Sequence, residues 1–153
     1  MQNTPILSKL QQQAGGKNPF IVTDPKSGKE LGAVFISTYR GFIRGEVFQA
    51  QLKEQNQYLA DHPDQYIVGI ADVPGSAVPD MVTNLADTPE NKTFFQHMKN
   101  GRVLKLLLVA RFNLIVKAAK IFSRILGGVE YLEESTPEKA LERASELIRQ
   151  AHE

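Results

Sequence analysis

Apolar positions along this chain follow two alternating rhythms. The most apolar stretch, Val103 to Leu126, reads VLKLLLVARFNLIVKAAKIFSRIL and contains both. Leu104 to Ala110 is a nearly continuous apolar run interrupted only at Lys105, the pattern of a strand buried on both faces of a parallel sheet. From Asn113 the period lengthens, and Leu114, Ile115, Ala118, Ala119, Phe122, Ile125 and Leu126 share one side of a helix that ends at Gly127-Gly128. A strand followed at once by a helix predicts an α/β protein.

The same alternation runs through the rest of the chain. Phe20 to Thr23 reads as a first strand, and Asp24-Pro25-Lys26-Ser27-Gly28 has the proline and glycine of a tight turn into a second, Ala33 to Tyr39. In that second strand Val34, Ile36 and Thr38 alternate with Phe35, Ser37 and Tyr39. Gly41 to Gly45 reads as a junction. Glu46 then opens a helix with Phe48, Leu52, Gln55 and Leu59 along one stripe, stopped by His62-Pro63. Tyr66 to Ala71 is a third strand emerging at Asp72. The following DVPGSAVPDMV is a turn that feeds a helix from Pro79, because proline suits a first helical turn.

A helix from Pro89 to Lys99 places Phe94, Phe95 and Met98 on one side and ends at Asn100-Gly101. Val129 to Leu132 is a short last strand. Ser135-Thr136-Pro137-Glu138 then starts a closing helix, with Ser135 expected as the cap and Ala140, Leu141, Ala144, Leu147, Ile148 and Ala151 as its buried face. The order ββαβααβαβα predicts one mixed sheet of about five strands, an N-terminal hairpin followed by parallel strands, with four to five helices. Residues 1–18 form a flexible arm and residues 19–153 a single domain.

Composition narrows the function classes. The 18 basic and 17 acidic side chains nearly cancel, so bulk charge does not point to nucleic acid. With no cysteine there are no disulfides, thiolate metal sites or cysteine nucleophiles. Lys105, Arg111, Lys117, Lys120 and Arg124 interrupt the central apolar stretch, so a transmembrane helix is not expected. The start of the chain lacks the basic and apolar regions of an export signal, which makes the cytoplasm the default expectation. His62, His97 and His152 have no partners at metal-ligand spacing, and neither a G-x-S-x-G elbow nor a Walker sequence is present. No metal, cofactor or catalytic residue is expected.

The order of a hairpin and then alternating strands and helices, from Phe20 to Ala151, resembles the STAS domain family of anti-sigma factor antagonists and their relatives of unassigned function. LKLLLVAR, NLIVKAAKIFSRIL, VEYL and STPEKALERASELI carry the resemblance in the second half. In the first half, Asp72 and Asp80 have the separation found between the family's strand-ending acidic residue and the aspartate before its phosphorylated serine. Met81 and Val82 stand where the family has serines. The resemblance therefore implies a STAS-like regulatory or protein-interaction module without implying the phosphorylation switch.

In open α/β sheets the ligand crevice lies beyond the carboxyl ends of the parallel strands, near a switch point. That edge is expected to carry Asp72, Ser76 and Asp80 after the third strand, and Arg111 and Asn113 after the fourth, where helix amides could hold an anion. A plainer reading makes Asp72 a turn residue, Asn113 a helix cap and Arg111 the partner of a surface aspartate. Lys117, Lys120 and Arg124 form a basic ridge suited to anionic headgroups or an acidic partner, or simply a solvated face. Three functions follow in order of expectation. The first is a non-enzymatic interaction module that binds a protein partner or itself, as a homodimer through an open edge strand. The second is a carrier or sensor of an apolar or anionic lipid-like ligand, with a cavity lined by Leu114, Ala118, Phe122 and residues of the second helical region. The third is an enzyme using Asp72, Asp80 and Arg111.

Overall fold

A computed structural model of the chain describes residues 19–73, 77–79, 88–110 and 131–153. Their order is β1 (Phe20–Thr23), β2 (Glu30–Thr38), β3 (Gly41–Ile43), α1 (Gly45–Asp61), β4 (Tyr66–Val73), β5 (Ala77–Pro79), α2 (Pro89–Lys99), β6 (Val103–Ala110), β7 (Tyr131–Glu133) and α3 (Pro137–Ala151). The fold is mixed α/β, as the alternating rhythms predict. Seven strands are described against about five expected, and three helices against four to five. The main sheet itself has five strands in the order β1-β2-β4-β6-β7, and β3 and β5 form a separate pair.

β1 and β2 are antiparallel, while β2, β4, β6 and β7 run parallel. The hairpin turn is held locally. Asp24 accepts from the Lys26 amide at 2.9 Å, which also holds its carboxyl below the usual carboxylate range, and Gly28 takes the positive φ of 73° that closes the turn. The alternation read in the second strand has a clear outcome. Val34 and Ile36 join Val68, Ile70, Leu107 and Val109 beneath α3, while Ala33 and Phe35 join Ile67, Val103, Leu59 and Phe94 beneath α1 and α2. β2 is therefore buried on both faces, and the domain is three layers deep.

Three local expectations are corrected. The junction after the second strand is a strand, β3, because Gly41–Ile43 pairs in parallel with Ala77–Pro79. Pro79 accordingly ends strand β5 rather than opening a helix. The cap of α3 is Thr136, not Ser135: its side chain accepts from the Lys139 amide, leaving Pro137 the first helical position, where a missing N–H costs nothing. The expected helix over residues 113–126 lies outside the described residues. Among those described, no helix is long and apolar enough to cross a membrane.

Candidate functional site: the carboxyl edge of the sheet

Strand order decides what kind of crevice this sheet can form. From β2 through β4 and β6 to β7 the strands step in the same direction across the sheet, and the described crossover helices, α1 and α2, lie on one face. The order never reverses. Among the described strands there is thus no switch point of the kind that opens a ligand crevice in doubly wound sheets, and that expectation is corrected.

Asp72 lies within β4, one residue before its end, directly opposite Thr38 in the β2–β4 register. The Thr38 hydroxyl donates to the Asp72 carboxylate at 3.4 Å, and the Tyr39 amide donates to the Asp72 carbonyl at 2.9 Å. Beyond this point both strands leave the main sheet and pair again as β3 and β5. Two more residues separate Asp72 from Ala77 than separate Thr38 from Gly41, so the parallel ladder breaks and resumes with extra chain on the β4 side. The small sheet projects past the carboxyl edge, and Asp72 sits at its root.

On the opposite face of the sheet the same edge is lined by amides. The Tyr39 hydroxyl donates to Gln51 Oε1 at 2.5 Å, while Gln51, only 3% exposed, leaves its Nε2 without a partner. Gln49 accepts from the Thr88 hydroxyl at 2.8 Å and donates to Asn91 at 3.0 Å; Thr88 also caps α2. Buried Gln55 Oε1 and Asn56 Oδ1 are likewise unpartnered. This seam can hydrogen-bond neutral groups or internal water, and unmet buried groups weaken the α1–α2 contact. Sequence reasoning missed Gln51. Its only signal is that a helix written GEVFQAQLKEQNQYLAD has too few apolar residues for its inner face.

At the amino edge the polar groups are all structural. Arg102 donates to the carbonyls of Gln65 at 2.9 Å, Leu59 at 3.1 Å and His62 at 2.8 Å, tying down the end of α1. His62 stacks on Tyr58, whose hydroxyl donates to buried Gln65. His97 is held below the usual histidine range by burial and then by nearby Arg102. His152 contacts the Leu31 carbonyl at 2.7 Å and meets Tyr66 edge-on. Among the described residues no three histidine or acidic side chains form a metal-binding group.

Tyr58 gives a pH prediction. Burial, then the charges of Glu30 and Asp64, push its phenol from 10.0 up to about 12. The folded chain therefore keeps this proton where the unfolded chain loses it, so the contribution to stability is complete below pH 10 and is lost as pH rises from 10 toward 12. Thermal melts across that window will fall more steeply for the wild type than for Tyr58→Phe. Equal slopes would remove Tyr58 from the alkaline transition.

One described groove lies elsewhere, between edge strand β1 and α3. It holds about 260 Å³ and is lined by Phe20 and Leu141 together with Glu138, Glu142, Glu146 and Arg149. Of the eight expected site residues, the structure describes Asp72 alone. Ser76, Asp80, Arg111, Asn113, Lys117, Lys120 and Arg124 lie outside the described residues, as do the expected cavity residues Leu114, Ala118 and Phe122. No protein-family model, curated protein or solved structure matches the chain.

Proposed function

We propose that this chain is a non-enzymatic, STAS-like regulatory or protein-interaction module that meets a protein partner at the carboxyl edge of its sheet. The observation that carries this reading is Asp72, a half-buried carboxylate at the end of a central strand, beside the Thr38 hydroxyl at the root of the β3–β5 pair. A charge placed beside an outgrowth of backbone suits recognition, since it sets partner register and penalises wrong partners. The N-terminal hairpin followed by parallel strands supports the STAS-like reading.

The test is affinity capture from a lysate of the source cells with the wild type and with Asp72→Asn. Asparagine keeps the size of the side chain and an acceptor for Thr38 but removes the charge. A partner retained by the wild type is expected to bind the variant about tenfold more weakly, the scale of one lost charge-assisted contact. Equal retention of every captured protein, with circular dichroism unchanged, would sink the assignment to Asp72.

A further inference from the structure

We propose that the groove between β1 and α3 takes an extended basic segment of a partner protein, added as a strand to the open edge of the sheet. Among the described residues β1 pairs as a strand only with β2, so its outer side is open to a further strand except at the Thr23 carbonyl, which accepts from Arg149. Such an edge is a ready template for strand addition. Beside it, Phe20 and Leu141 give the groove an apolar floor.

Charge selects the occupant. Glu138, Glu142 and Glu146 recur at i, i+4 and i+8 and all line the groove. Lys139, Arg143 and Arg149 lie three positions from Glu142 or Glu146 and offset their repulsion within the helix, but of these bases only Arg149 lines the groove, which is therefore net acidic. The face that α3 turns toward the groove therefore favours a cationic occupant. Glu138 lines the groove, and one of its carboxylate oxygens, Oε2, is enclosed without a hydrogen-bond partner. Arg149 is held away at the far end of the groove, donating to the Thr23 carbonyl at 3.3 Å.

A second copy of the chain fits less well. Two β1 edges related by a twofold axis perpendicular to the sheet would set the two α3 helices side by side on one face. Two net-acidic grooves would then meet. The expected homodimer through this edge thus gives way to a basic partner, and β1 is short enough, at four residues, that its backbone bonds need the added charge pairing.

The test uses the full chain and a fluorescein-labelled peptide of alternating lysine and threonine, followed by anisotropy at low salt. Its counterpart with glutamate in place of lysine is the control. Saturable binding of the lysine peptide is expected, with amide shifts in residues 20–23 and 138–149, and weakening of about tenfold in Glu142→Lys/Glu146→Lys, which replaces two weak attractions by repulsions. Both glutamates are exposed, so the variant should fold. A Glu46→Lys/Asp64→Lys variant makes the same change in net charge at exposed positions away from the groove, and should bind as the wild type does. Equal weakening by the two variants, or shifts confined to other strands, would overturn the proposal. So would a dimer abolished by Glu142→Lys/Glu146→Lys, which would give the groove to a second copy.

Discussion

Replacing Gly32 by alanine will cost the domain about 4 kcal/mol or more, a large share of the total stability of a typical domain. Gly32 lies in β2 opposite Tyr66, and a Cβ there would stand 2.1 Å from the Tyr66 carbonyl oxygen and 3.0 Å from Ile148 Cγ2. Neither obstacle can move cheaply. The carbonyl belongs to the neighbouring backbone of β4, and Ile148 is fully buried under the same strands. Relief requires β2 and β4 to part at the start of their ladder. Gly69 provides the comparison, since a Cβ there meets only the end of the Leu106 side chain at 2.9 Å, which can rotate. Gly69→Ala is expected to cost about 1–2 kcal/mol, within the usual range for overpacking. Urea unfolding of both variants measures the difference. If Gly32→Ala were no worse than Gly69→Ala, the close approach of β2 and β4 would be wrong.

Arg102→Ala is the second large effect, expected at about 2–4 kcal/mol, because hydrogen bonds from a charged donor are each worth roughly 1.5–3 kcal/mol and do not add fully. One guanidinium holds three carbonyls, two of them at the end of α1. The last turn of α1 has no basic residue of its own, so Arg102 also provides the positive charge that a helix C-terminus favours. Lysine cannot imitate it, since a single ammonium lacks the planar fork that reaches several acceptors. Hydrogen exchange should localise the damage: amides in the last turns of α1 will lose protection in Arg102→Ala before those of α3 do. Uniform loss across both helices would show that Arg102 acts on the whole fold rather than as a clasp.

How much of this was legible in the sequence depends on whether the signal was local. α2 was read with both its ends correct because they are written in adjacent residues: Thr88 caps, Pro89 opens, and Gly101 takes a positive φ of 74° past the end. The two sets of alternating residues in β2 were legible for the same reason, and they do divide between the two faces. The β3–β5 pair was not. Three-residue strands carry too little pattern, and each exists only because a partner more than thirty residues away continues an existing ladder. At the candidate site, Asp72 was legible as a strand-end acid, but its tie to Thr38 arises from register. Gln51 was invisible because its partner, Tyr39, belongs to another element. The edge groove could not be read either, since its acidic stripe looks like any solvated helix face until β1 lies beside it.

The placement of α3 also bears on how the chain is made. Among the described elements it is the one helix on its side of the sheet, where it covers Val34, Ile36, Val68, Ile70, Leu107 and Val109, and it is also the last to be synthesised. Among the described elements nothing else covers these side chains, so a chain that lacks residues 137–151 leaves that apolar face without its described cover. Intermediates of that kind aggregate readily. A released chain truncated before Pro137 should be a species that chaperones bind, whereas the chain that includes α3 should be released by them.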